Sequence, residues 1–110
     1  PEPLAVGAVD GRQYVFIGLE RISGMMVYDV TNPYRPHFEQ YINNRNFAVD
    51  PAAVCEKGKR ESPACAAVGD LSVEGVLFIP ASRSPTGVPL LVVSHETSDS
   101  ITLYRVDRVP

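Results

Sequence analysis

Carboxylates recur at matched places along this chain, and oxygen-rich groups of that kind bind cations. Glu20 closes the apolar run Tyr14-Val15-Phe16-Ile17-Gly18-Leu19, and Glu96 closes Leu90-Leu91-Val92-Val93-Ser94-His95. Glu2 opens the first of these stretches and Glu74 the second, with Asp70 just ahead in Gly69-Asp70-Leu71-Ser72-Val73-Glu74-Gly75. Converging carboxylates repel unless a cation or a guanidinium neutralises them. Calcium takes such oxygens, together with backbone carbonyls. Asp70, Glu74, Glu96 and Glu20 are therefore the candidate calcium ligands. Arg21 and Arg45 are candidate clamps for phosphate oxygens. His95, beside Glu96, is a candidate substrate-binding residue, and could serve as general base or ligand. The plainer reading of the same acids is that they bond turn backbone or pair with Arg21, Arg45 or Arg83. The plainer reading of His95 is a polar residue at a strand end, and His37 is expected in a solvated turn. No Gly-x-Ser-x-Gly elbow and no glycine-rich phosphate loop is present, so no catalytic nucleophile can be named.

The elements that must carry these groups repeat. Tyr28 follows Glu20 by eight residues and Tyr104 follows Glu96 by eight. Both stretches read as acid, apolar strand, turn, apolar strand ending in Glu, polar turn, then a strand ending Tyr-x-Val. Strands are expected at 4–9, 14–19, 25–30 and 38–42, and again at 75–80, 90–94 and 101–106. The 14–19 strand, mostly apolar, is expected to be buried on both faces. Strand 38–42 should place Phe38, Gln40 and Ile42 on one side and Glu39 and Tyr41 on the other. Asp10-Gly11 marks a tight hairpin. The class predicted is all-β, with antiparallel four-stranded blades of a β-propeller. Residues 1–45 make one blade, 46–72 an insertion with a helical turn near 52–54, and 73–110 a second blade that lacks its fourth strand. About two blades imply a larger propeller, whose remaining blades lie in the same polypeptide or a companion chain, because an open strand edge invites unwanted pairing. In a closed ring, a strand from elsewhere often completes the last blade. The alternative is a small sandwich of seven strands. Strand direction alternates, so Glu2, Glu74, Glu20, Glu96, Asp70, Asn43, Asn44 and Arg45 should share one face. The matched Tyr28 and Tyr104 are expected to pack between blades, and Gly18 and Ser94 to allow close approach.

Composition narrows the function classes. The 110 residues carry a net charge of −3, no Trp and scattered basic residues, which argues against a nucleic-acid partner. No apolar run approaches the roughly 18 residues of a membrane span. Ten prolines fall mostly between apolar runs and punctuate strands. Opening on Pro1 with no signal-peptide pattern, the chain is expected to be a mature or excised piece. Cys55 and Cys65 flank one polar segment. They are too few for a structural zinc site and lack redox spacing, so a loop-pinning disulfide is expected, with two unpaired thiols as the alternative. A disulfide implies export.

Several motifs in order resemble one family. Tyr14-Val15-Phe16-Ile17-Gly18-Leu19-Glu20-Arg21, Gly24-Met25-Met26-Val27-Tyr28-Asp29-Val30, Gln40-Tyr41-Ile42-Asn43-Asn44-Arg45, Gly69-Asp70-Leu71-Ser72-Val73-Glu74-Gly75 and Pro89-Leu90-Leu91-Val92-Val93-Ser94-His95-Glu96 look like the C-terminal part of choice-of-anchor I proteins. That family includes bacterial secreted propellers and mesenchyme-specific cell-surface glycoproteins, and is similar to phytase-like and esterase-like propellers. The resemblance implies a secreted, periplasmic or cell-surface protein. It also implies two functional expectations: a calcium-dependent alkaline phosphatase-like phosphoesterase, or a non-catalytic extracellular module that binds a ligand or calcium. Three places depart from the family pattern. Pro3 stands where Gly is common, Ser72-Val73 replaces Gly-Pro before Glu74, and the Cys55–Cys65 loop lies where many members carry another insertion.

Overall fold

A computed structural model describes residues 3–45, 47–48, 69–70 and 72–107. Glu2, both cysteines, their expected disulfide and the 52–54 turn lie outside these residues. Within them the chain is all-β, in two antiparallel meanders. The first sheet runs β1 (Leu4–Val9), β2 (Arg12–Gly18), β3 (Met25–Asp29) and β4 (His37–Ile42) in sequence order. The second runs β5 (Val73–Ile79), β6 (Leu90–His95) and β7 (Ser100–Arg105). A single 3-10 turn, Ala81–Arg83, interrupts the β5–β6 connection. Among the described residues the sheets do not close into a barrel, and no helix is long and apolar enough to cross a membrane.

Local chemistry accounts for the turns. Asp10 and Gly11 both take positive φ, 51° and 77°, and join Val9 to its partner Arg12 in the two-residue hairpin that Asp-Gly favours. The β2–β3 turn closes through Ser23 and Gly24, at φ 74° and 89°.

The repeat is structural as well as sequential. Leu4 pairs with Ile17 as Val76 pairs with Val93, and Gly18 pairs with Met25 as Ser94 pairs with Ile101. Strand β4 departs from plain alternation. A register shift opposite Val27 and Tyr28 leaves Glu39 unmatched, so Phe38 lies beside Tyr28 and Tyr41 beside Met26. Phe38 and Tyr41 therefore share a face that simple period-two counting keeps apart.

The core lies between the sheets, where β5 packs on β1 and β2. Phe16, Met25, Val73, Leu91 and Val93 are buried there. Phe16 stacks on Phe78 with ring centroids 5.7 Å apart. Only the inward side of β2 is buried. Val15 and Ile17 are half-buried, contrary to the expectation of burial on both faces, because no described element covers the far side.

Close approach of β1 and β2 to β5 needs glycine at Gly18 and Gly7. A Cβ on Gly18 would lie 2.5 Å from Val73 Cγ1, and one on Gly7 would lie 2.4 Å from the Phe78 ring. Phe78 cannot yield without disturbing its stack on Phe16. Gly7→Ala should therefore cost about 1–3 kcal/mol in urea unfolding, the usual range for overpacking. An unchanged midpoint would mean that the sheets separate more readily than this packing implies.

Candidate functional site

At one end of the molecule four segments meet: the β2–β3 turn, the exit of β4, the approach to β5 and the β6–β7 turn. Antiparallel order brings them together, as alternating strand direction predicts. Asn43 Nδ2 donates to the carbonyls of Ile22 (3.2 Å) and Ser23 (3.3 Å), and Arg45 Nη1 donates to the Arg21 carbonyl (3.2 Å). Ser72, at φ 61°, donates its N–H to buried Ser23 Oγ at 2.9 Å, and its carbonyl accepts from the Glu96 N–H at 2.9 Å. Its hydroxyl lies 2.7 Å from that of Thr97.

Asp70 sits at the centre of this end. Its carboxylate accepts from Thr102 Oγ1 (2.6 Å), Asn44 Nδ2 (2.7 Å) and Ser100 Oγ (3.1 Å), while its N–H donates to Asn44 Oδ1 (3.1 Å). His95 Nε2 is 3.9 Å away, and its Nδ1 lies 3.5 Å from Ser100 Oγ. Strand alternation explains the gathering. His95, Ser100 and Thr102 all point toward the first sheet, where Asn44 leaves β4. Burial pushes the Asp70 carboxyl upward. The Thr102 and Asn44 bonds, the neighbouring His95 and the Ser100 bond outweigh that and hold it below the ordinary carboxylate range.

The other expected ligands do not join it. Glu74 and Glu96 are exposed and Glu20 is half-buried in its turn. None of the three side-chain carboxylates makes a hydrogen bond or ion pair among the described residues. No three Asp, Glu, His or Cys side chains among those residues stand close enough to hold a metal ion. The Asp70 oxygens accept from two hydroxyls and an amide instead of meeting the other carboxylates. Arg45 spreads its guanidinium 4.8 Å over the Phe47 ring besides bonding the Arg21 carbonyl, while the Arg21 side chain is exposed. His95, 5 % exposed, is enclosed rather than open to a substrate. Asp70 and His95 are thus brought together, whereas Glu20, Glu74 and Glu96 remain apart from them.

A second polar cluster, absent from the sequence reading, occupies the hairpin end. Asp29 accepts from Arg12 Nε at 2.6 Å, from Thr31 Oγ1 at 2.7 Å and from the Thr31 N–H at 2.9 Å. The Arg12 bond, followed by the Thr31 hydroxyl and N–H, holds its carboxyl far below the usual range. Thr31 Oγ1 also accepts the Gln13 N–H at 2.9 Å. An Asp two residues before a Thr at a strand end is the sequence signal for such a turn.

The family model for the choice-of-anchor I domain matches residues 1–33, the stretch that holds β1, β2 and β3. No curated protein and no solved structure matches the chain.

Proposed function

We propose that this chain is two neighbouring blades from the C-terminal part of a larger secreted or cell-surface β-propeller, serving there as a non-catalytic structural and binding module. One observation carries the reading: the exposed face of each sheet is the repeat-equivalent of the buried face of the other. Met25 and Val27 of the first sheet face the second, and their equivalents Ile101 and Leu103 face outward at 69 % and 63 % exposure. Conversely, Val76 and Phe78 pack inward, and their equivalents Leu4 and Val6 are 62 % and 55 % exposed.

Both outer faces are apolar across whole rows. Leu4, Ile17, Met26 and Tyr41 form one row of the first sheet, and Val6, Val15, Tyr28 and Phe38 the next. Leu77, Val92 and Leu103 form a row of the second. Apolar patches of this extent mark interaction surfaces. The same face meeting its opposite again and again is a head-to-tail arrangement, which generates rings when the rotation closes. Further blades are the partners that this pattern calls for.

The phosphoesterase expectation draws less support from this chain. Asp70 is spent on joining the two sheets, and Glu20, Glu74 and Glu96 stand apart. Two measurements test the proposal. In native mass spectrometry the 110-residue chain should associate beyond its 12.0 kDa monomer, and Ile101→Lys with Leu103→Lys should abolish that association. A clean wild-type monomer would sink the blade reading. Assay of the complete protein with p-nitrophenyl phosphate and calcium should give no turnover above blank over about pH 6–10, a span that brackets neutral and alkaline general-base chemistry. Turnover lost on Asp70→Asn would restore the enzyme reading.

A further inference from the structure

The exit of β4 carries a cation with no anion beside it. Arg45 follows Asn44 out of the first sheet, and its backbone is fixed from two sides. Its N–H donates to Asn43 Oδ1 at 2.9 Å. Gly69, at φ 82°, lies so close that a Cβ there would stand 3.3 Å from Arg45 Cα. In the guanidinium, Nη1 donates to the Arg21 carbonyl at 3.2 Å, and the Phe47 ring lies against one face at 4.8 Å. Nη2 has no acceptor among the described residues. Nε is enclosed, and among the described residues it is the one buried side-chain nitrogen or oxygen without a hydrogen-bond partner.

An enclosed donor left unpaired is costly, and an enclosed cation without a counter-charge more so. Folded proteins fill nearly all such positions. Among the described residues the carboxylates beside a basic group are Asp29, Asp70 and Asp107, next to Arg12, His95 and Arg105. None stands beside Arg45, and Asp70 turns its oxygens toward Thr102, Asn44 and Ser100. The donors left over are of one kind. Nε and Nη2 lie along one edge of the planar guanidinium, and their N–H groups form the fork that takes both oxygens of a carboxylate. Charge narrows the occupant further. Glu20, Glu74 and Glu96 lie at this end without a basic partner among the described residues. A doubly charged anion meets more repulsion from them than a singly charged one. A planar monoanion satisfies both the geometry and the charge.

We infer that the Nε–Nη2 edge of Arg45 is a binding site for a carboxylate, borne by a small organic acid or by an acidic side chain of another protein segment. The Phe47 ring holds the guanidinium by its face, which leaves the edges for hydrogen bonds in the plane. Nη2 is the point of entry, and Phe47, 62 % exposed, can yield as the second oxygen reaches Nε. The site goes beyond the blade reading and stands on Arg45 and its surroundings alone.

The probe is sodium acetate, titrated into the isotope-labelled 110-residue chain at about pH 6, where carboxylates are ionised, with the arginine Nε–H signals followed by NMR. A saturable shift of the Arg45 signal is expected, while that of Arg35, exposed in the β3–β4 turn, stays in place. Sodium sulfate at equal ionic strength should shift Arg45 less. Arg45→Lys keeps the charge and loses the fork, so the acetate-dependent shifts of the Asn44 and Gly69 amides should need at least about tenfold more acetate. A capped Gly-Gly-Glu-Gly-Gly peptide then identifies the source. Tighter binding than acetate assigns the carboxylate to a protein side chain and equal binding to a small acid, and both results support the site. No saturable shift with either carboxylate, an equal response to sulfate or chloride, or a parallel shift of Arg35 would overturn it. If Arg45→Lys fails to fold, the comparison of Arg45 with Arg35 in the unaltered chain still decides. An acetate response in a chain that does not self-associate would remove only the blade reading, and association without the response only this site.

Discussion

Phe16→Ala is expected to lower the unfolding free energy by about 3–5 kcal/mol, the range for deleting a buried aromatic side chain. Phe16 is 2 % exposed, lies within the core cluster and stacks on Phe78 across the sheet interface. Truncation would remove the ring contact and leave a hole that neither sheet can close, because Gly7 already brings β1 against Phe78. Domains carry only about 5–15 kcal/mol in total, so this one change takes a large share. Thermal unfolding should shift down by more than about 10 °C for a chain of this size. Leu77→Ala, at 59 % exposure, serves as the comparison, and its removal should stay within about 0.5 kcal/mol in the monomeric charge-variant background. A Phe16→Ala protein within 1 kcal/mol of its parent, the size of an ordinary point substitution, would show that the sheet interface is not the core of the fold.

The second large effect concerns Asp70. Replacing it with alanine strips the acceptor from Thr102, Asn44 and Ser100 at once and cuts the side-chain tie between the exit of β4 and the start of β7. The cost should be about 2–3 kcal/mol, the size expected when a charged hydrogen-bond partner is removed from partly buried donors. Asp70→Asn should fall between the parent and alanine, since the amide keeps one acceptor.

Acid gives an independent readout. The folded carboxyl is held below its ordinary value. Its contribution is therefore complete above about pH 4, where the unfolded chain's aspartate is ionised. It fades as pH falls and the folded carboxylate takes up its proton. The stability gap between the parent and Asp70→Asn should be flat near neutrality and narrow below about pH 4. Asp29 titrates in the same direction but is present in both proteins, so it cancels from the difference. A gap that persists unchanged into acid would mean that the Asp70 charge does no structural work.

Strand positions were legible because local signals agreed. Apolar runs broken by Asp10-Gly11, Asn32-Pro33 and Pro80 placed all seven strands within two or three residues of where they form. Alternating strand direction also predicted which end would collect the polar turns. Side-chain destinations were less accessible. The β4 bulge moved Glu39 out of register and set Phe38 beside Tyr28, a packing choice that period-two counting does not contain.

The acids of the repeat show the same division. Position alone put Asp70, Glu74, Glu96 and Glu20 at one end, yet Glu74 and Glu96 point into solvent while Asp70 turns in toward Ser100 and Thr102. Periodicity in the residues determined the strands, their order and the duplicated register, since backbone hydrogen bonding and apolar spacing are local. Only the packing of one sheet on the other decided which equivalent faces are covered and which carboxylate is enclosed, because burial and hydrogen-bond partners depend on groups brought together from distant parts of the chain.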